Sequence, residues 1–125
     1  MSGLRQPGGN KEIVNTVGTA LAVTPHDVGK VLSNLDNTGN VAYTFQTAAN
    51  FRPGDQITVL SADGGTLTCA FTAGQLITFN NVAATSVALS TSNEIIGGGF
   101  IFTCLSAAKW HCMPLLEETQ TMTVA

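Results

Sequence analysis

The fold is decided by the stretch GGGFIFTCLSAAKWHCM, residues 97–113. Two apolar runs containing aromatic residues flank the small segment Ala107–Lys109, which predicts a β-hairpin. Trp110 opens the returning strand, and we expect it to anchor that strand in the core. Gly97–Gly99 precede a β-rich run rather than a helix, so they indicate a bulge or a close backbone contact and not a phosphate-binding loop.

Upstream of this stretch, apolar residues alternate with small or polar ones and predict short strands. Val41, Tyr43 and Phe45 share one face of such a strand. Three later runs alternate similarly. Ile57 and Val59 share one side of the first run, Leu67, Cys69 and Phe71 are predicted inward on the second, and Val87 and Leu89 share one face of the third. Asp63-Gly64 lies between the first two of these runs and predicts a hairpin that joins them.

Two local signals mark turns in the first half of the chain. Thr24 suits a helix N-cap, Pro25 suits the first helical position and Asp27 favours the same end, so one short helical turn is predicted. Gly29 ends it. The segment 51–55, FRPGD, is typical of a turn that opens a regular run of strands.

Strand signals recur along the whole chain at intervals of about 8–12 residues, which is typical of an all-β domain. We therefore expect an antiparallel sandwich, jelly-roll or barrel-like single domain. Its predicted parts are a flexible N-terminal arm at 1–10, a β domain at 11–114 and a C-terminal tail at 115–125 that is either helical or extended.

Charged residues make up only 10% of the chain, against about 25% in ordinary soluble domains. A chain with so few charges is expected to cover much of its surface with copies of itself or with a partner. The net charge is −3, and the few basic residues are dispersed, which argues against a nucleic-acid partner. No apolar run is long enough to predict a membrane span or a signal peptide.

The three cysteines are expected to be thiols, because the chain is predicted to be made in a cytoplasm. We expect them to be buried and free, as small hydrophobic residues. The length of the last hairpin loop leaves two pairings open. A three-residue loop sets Cys104 opposite Cys112 and permits a disulfide after release into an oxidising medium, whereas a two-residue loop sets Cys104 opposite His111.

Candidate catalytic and metal-binding residues are few, and each has a structural interpretation. The two histidines, His26 and His111, have no nucleophile context. Asp55 and Asp63 both lie in turns, where aspartate accepts hydrogen bonds from backbone N–H groups. The cysteines lack zinc-site spacing. We therefore predict no enzyme activity, no metal and no cofactor.

The turn and strand signals come in a recognisable order: TPHDVGKVL at 24–32, RPGDQITVL at 52–60, DGGTLT at 63–68, and Trp110 in a final strand pair. Over about residues 16–113 this order resembles the small β modules of tailed-bacteriophage virions. These modules include capsid cement or decoration proteins and head-fibre or tail-fibre domains. The resemblance implies a role in virion assembly, commonly as a homotrimer, with no enzyme activity and with the major capsid protein as partner.

The leading functional hypothesis is therefore a capsid cement or decoration protein on the virion surface, which ties major capsid subunits together. One alternative is a head-fibre, tail-fibre or baseplate module that binds a host surface. A second is a small carbohydrate-binding domain, although six Phe, one Tyr and one Trp leave few aromatics for both a core and a sugar platform. The predicted partner or subunit contacts are Leu4, Arg5, Arg52, Leu115 and Leu116.

Overall fold

The computed structural model describes residues 11–90, 95–117 and 120–125. Within them lie twelve strands and two one-turn 3-10 helices, at Pro25–Asp27 and Ala48–Asn50. The strands are β1 (Ile13–Asn15), β2 (Ala20–Val23), β3 (Val31–Ser33), β4 (Val41–Phe45), β5 (Gln56–Leu60), β6 (Leu67–Ala70), β7 (Leu76–Thr78), β8 (Asn81–Ala84), β9 (Ser86–Leu89), β10 (Gly99–Ser106), β11 (Lys109–Leu115) and β12 (Thr123–Val124).

The strands form two sheets that pack together as a sandwich, which confirms the prediction of an all-β domain. One sheet has seven strands in the order β1-β3-β5-β10-β11-β7-β8, and the other has five in the order β12-β9-β6-β4-β2. The expectation of antiparallel sheets needs correction, because five of the ten pairings are parallel. Strands β1 to β6 alternate between the sheets, so each sheet receives every second strand in the same direction.

The hairpin predicted at Asp63-Gly64 is wrong. Strand β5 pairs with β3 and β10 in the seven-stranded sheet, whereas β6 pairs with β4 and β9 in the other. The Asp-Gly turn instead carries the chain from one sheet to the other. An added Cβ at Gly65 would lie only 2.0 Å from the carbonyl oxygen of Gly39. This crossover therefore depends on a glycine at a close backbone contact.

The core lies between the sheets and is centred on aromatic rings. Trp110 is fully buried, and its ring centroid lies 4.7 Å from that of Phe51 and 5.5 Å from that of Phe45, both edge to face. Phe45 also stacks on Phe71 at 4.3 Å. The residues predicted inward on β6 are buried, and so are those predicted to share one face of β4, β5 and β9. Alternation in the sequence thus identified the core side of these strands.

The predicted hairpin of β10 and β11 forms, with its turn at Ala107–Ala108. Its register shifts between Cys104 and Ser106, so one extra residue on β10 makes a bulge. Cys104 therefore lies opposite Trp110, and Phe102 lies opposite Cys112. Both pairings predicted for Cys104 are wrong, because the turn has two residues rather than three and the bulge then shifts Cys104 from His111 to Trp110. All three cysteines are buried and free.

Two other predicted local features are present. Thr24 accepts the N–H of His26 at 3.3 Å and donates its own N–H to Asp27 at 2.9 Å, which makes the short helical turn a capping box. An added Cβ at Gly99 would lie 2.4 Å from the carbonyl oxygen of Val59 on β5. The close backbone contact predicted for the glycine run is therefore found at Gly99.

The described residues of the predicted tail, 115–117 and 120–125, include parts of two strands. Leu115 ends β11, and β12 pairs antiparallel with β9 at the edge of the five-stranded sheet. Met122 and Val124 pack against the core. Burial of their apolar surface favours the docking of this segment. The β domain therefore continues to the last described residue. The arm predicted at 1–10 lies outside the described residues.

Candidate interaction surface

The outward side of the seven-stranded sheet carries a continuous row of side chains. Strand registers align Ile13 with Val31, Val31 with Thr58, Thr58 with Ile101, and Ile101 with Met113. Thr58 and Ile101 each lie between buried residues of their strand, so the row that they share with Ile13, Val31 and Met113 crosses five strands on the outer side. Four of its five members are apolar.

Two further rows flank this one and complete a surface that we call the apolar face. One contains Asn15, Ser33, Leu60, Gly99 and Leu115, and the other contains Gln56, Thr103, His111 and Ile77. Several polar members bond to each other: Ser33 donates to Asn15 at 2.9 Å and Gln56 donates to Thr103 at 3.0 Å. These side chains would therefore need fewer new hydrogen-bond partners if the face were covered.

Large apolar side chains are exposed along the central row. Ile13 is 63% exposed at one edge of the sheet, and Met113 is 51% exposed four strands away. Continuing the register of β7 against β11 by two residues carries Phe79 to the level of Met113, and Phe79 is 63% exposed. The exposed apolar row thus extends towards the turn between β7 and β8.

The turn between β7 and β8 consists of Phe79 and Asn80, with φ angles of +43° and +61°. Two successive positive φ angles make the tight hairpin turn that matches strand twist, but they favour Gly and Asn over Phe. The hairpin is held to its neighbour by Lys109, whose Nζ donates to the carbonyl oxygens of Gly74 at 2.7 Å and of Val82. An exposed Phe is therefore held on an anchored hairpin in an unfavourable backbone conformation.

The outward side of the five-stranded sheet has small residues in the corresponding positions. Register places two rows there: Ala20, Ala42, Thr68, Ala88 and Thr123, and beside it Ala22, Thr44, Ala70 and Ser86. We call this the small-residue face. It is as free of charge as the apolar face but offers much less apolar side-chain area.

Charge is almost absent from the strands. In the twelve strands that the structure describes, Lys109 is the only residue with a formal charge, and its ammonium bonds within the sheet. The other described charges lie in turns and strand ends, as in the pair of Lys30 with Glu12 at 3.4 Å. The low charge content of the chain thus appears on the molecule as two uncharged faces.

The residues predicted as partner contacts lie in different places. Leu115 is part of the apolar face, and Leu116 packs against the core of its own chain. Arg52 is exposed, and Asp55 accepts its backbone N–H at 2.9 Å in the predicted turn. Leu4 and Arg5 lie outside the described residues. Sequence reasoning overlooked the outward positions on β1, β10 and β11, although their alternation with inward residues was a usable signal.

Two of the candidate catalytic residues, Asp55 and Asp63, have structural partners. Asp63 accepts the N–H of Gly64 at 2.7 Å, and Asp55 caps its turn as described. His111 lies on the apolar face between Thr103 and Ile77. Among the described residues, no three His, Cys, Asp or Glu side chains converge as a metal site would require.

Burial makes the thiols unreactive. It raises the pKa of Cys112 to about 12, and it raises the pKa of Cys69 well above its ordinary value. Because the thiolate is the reactive form, neither residue is suited to act as a nucleophile near neutral pH.

The part of the chain that the structure describes contains no helix long and apolar enough to cross a membrane. Comparisons with models of protein families, with curated protein sequences and with solved structures found no match. The surface of the molecule is then the main source of functional information.

Proposed function

We propose that this chain is a capsid cement or decoration protein of a tailed bacteriophage, acting as a homotrimer on the virion surface. It would bind the outer shell and stabilise contacts between major capsid subunits. The observation that carries this proposal is the exclusion of charge from both outward faces of the sandwich. The order of motifs along residues 16–113 supports the same role.

Uncharged sheet faces favour contact with other protein surfaces. Covering a charged side chain costs free energy unless a partner compensates it, whereas covering Ile, Leu or Met releases water and is favourable. Many copies that each add a modest contact stabilise a lattice through avidity. A protein that binds only the mature shell also stabilises it by mass action.

A purely structural role agrees with the geometry of the acidic residues. Asp55 and Asp63 are both engaged with backbone N–H groups of their own turns. Their turns close different connections, before β5 and after it. We propose no catalytic activity for this chain and no bound cofactor.

A head-fibre, tail-fibre or baseplate module is the second candidate, and one observation favours it. Phe79 is an exposed aromatic side chain at a hairpin tip, which is a suitable position for touching another surface. A carbohydrate-binding domain is less well supported. Of the eight aromatic residues, all in the described part, only Phe79 is exposed, and a single ring does not make a stacking platform for a sugar chain.

The proposal is tested on phage particles assembled with and without this chain. Particles that lack it should release their DNA at a lower temperature, and purified protein added back should restore the higher temperature in proportion to the sites filled. A matched control adds an unrelated small β protein at the same concentration. Equal thermal stability with and without the chain would contradict a cementing role.

A further inference from the structure

We infer that the apolar face is where copies of this chain pack against each other, with the apolar face of each copy turned towards the symmetry axis of the homotrimer. This inference deepens the homo-oligomer proposed above and rests on it. It does not depend on where the oligomer binds in a virion.

The absence of charge is the first reason to place a second copy on this face. None of the residues in its three rows is Lys, Arg, Asp or Glu. A partner surface with ordinary charge content would bury charges there without a compensating group, which is costly. A second copy avoids that cost, because it brings the same uncharged rows.

The uneven surface of the apolar face is the second reason to place another copy of the chain there. One row has an uneven profile, because Gly99 lies between the larger side chains of Leu60 and Leu115. Such ridges and depressions allow stacked sheets to interdigitate. A surface that has both can be complementary to neighbouring copies around the axis of a homotrimer, where a ridge of one copy meets a depression of the next.

The area of the face sets the expected strength of the contact. Strand and residue spacings give about 450 Å² for three rows across five strands. Stable interfaces use about 800 Å² on each partner. The contact between two copies is therefore expected to be weaker than in a stable dimer and to gain from a third copy around the axis.

The small-residue face provides an internal control. Thr44 is exposed in the middle of that face, as Met113 is on the apolar face. Both residues point away from the core, so a lysine at either position can reach solvent in the single chain. Only the lysine on the contacting face should then affect association.

Sedimentation of Met113→Lys, Ile13→Lys and Thr44→Lys over about 1–100 µM tests the inference. We expect the unmodified chain and Thr44→Lys to form the same oligomer. Met113→Lys and Ile13→Lys should raise the dissociation constant about tenfold or more. Circular dichroism with thermal melting checks that each variant folds.

A cross-linking scan independently measures which residues of two copies lie close together. The native thiols are buried, so cysteines introduced by Thr58→Cys, Thr103→Cys and Met113→Cys can be oxidised selectively. At least one of these should form a disulfide with its own equivalent in another copy. The matched variants Thr44→Cys and Thr68→Cys should not.

Each outcome has a definite meaning. An oligomer that survives Met113→Lys and Ile13→Lys, or one that only Thr44→Lys dissociates, overturns the inference but leaves the homo-oligomer standing. A chain that is monomeric throughout the concentration range overturns both. Binding of the monomer to phage shells would still support the cement role, so failure of the inference and failure of the cementing role remain distinguishable.

Discussion

The two outward faces of the sandwich share strand geometry and absence of charge, yet they differ in side-chain size. The apolar face exposes Ile13 and Met113 over more than half of their surface. The small-residue face offers Ala22 and Thr44 in similar outward positions. Because the hydrophobic contribution scales with apolar area, at about 25 cal/mol per Å², the free energy of association should come mainly from the apolar face.

This difference shows that low charge content alone does not identify an interface. Absence of charge is common to both faces. Only the apolar face carries large side chains in register across five strands. Substitutions can separately alter the core packing under the apolar face, its backbone contacts, a buried thiol beneath it and the hairpin at its edge.

The largest effect is expected on the inward side of the seven-stranded sheet. Trp110→Ala removes a ring that contacts Phe45, Phe51 and Phe71, and it should lower the free energy of unfolding by about 3–5 kcal/mol. Met113→Ala, on the outward side of the same strand, should cost less than about 1 kcal/mol in the single chain. Guanidinium unfolding followed by circular dichroism at low protein concentration measures both, and equal costs would contradict the assignment of inward and outward sides.

The next effect acts on the backbone beneath the apolar face. Gly99→Ala places a methyl group against the carbonyl oxygen of Val59 and the side chain of Leu60, so β5 and β10 must shift. We expect a loss of about 1–3 kcal/mol and weaker self-association. Gly64→Ala is the control, because open space surrounds an added Cβ there. The close contact would be disproved by a Gly99→Ala variant that is as stable as the control.

A third effect is an alkaline loss of stability that originates beneath the same face. Burial raises the pKa of Cys112 to about 12, against an ordinary value of 9.0. Between these two pH values the unfolded chain loses a proton that the folded chain keeps, so stability is full below pH 9 and falls as pH rises. The slope from this group approaches about 1.4 kcal/mol per pH unit.

Unfolding curves at a series of pH values measure this slope. Cys112→Ala should reduce the slope. The variant is less stable near neutral pH because it leaves a small cavity, and this difference should shrink as the pH rises above 9. Part of the slope should remain, since burial also raises the pKa of Cys69. An unchanged slope in Cys112→Ala would show that this thiol is not the source.

The smallest effect concerns the hairpin tip at the edge of the apolar face. Phe79→Asn should stabilise the single chain by about 1 kcal/mol, because Asn tolerates a positive φ better than Phe. The same change should weaken self-association, since it removes an exposed ring near Met113. Asn80→Gly relieves the backbone without removing the ring and should leave association unchanged. A Phe79→Asn chain that is less stable would show that the ring is held by contacts within its own chain.

Local patterns predicted the strands well, because alternation is a property of neighbouring residues. The shared face of β4, the inward residues of β6, the N-cap at Thr24 and the final hairpin were all predicted from short windows. Strand pairing was not, because it joins segments far apart in the sequence. Asp63-Gly64 makes a tight turn equally well within one sheet or between two, and only the partners of β5 and β6 decide which.

The candidate interaction surface was the least predictable part. Its central row joins Ile13, Thr58 and Met113, which are brought together only by the registers of five strands. Strand β8 was missed because the turn before it contains Phe79 where a glycine would have been the usual signal. The bulge on β10 shifted the cysteine register by one residue in a way that no local pattern specified.

The most direct test of the proposed role is the number of copies of this chain in purified phage particles. Quantitative mass spectrometry against the major capsid protein measures it. A ratio near one copy for each capsid subunit, or for every few subunits, is the result expected of a cement that covers the shell. A handful of copies per particle, or none, would contradict that role.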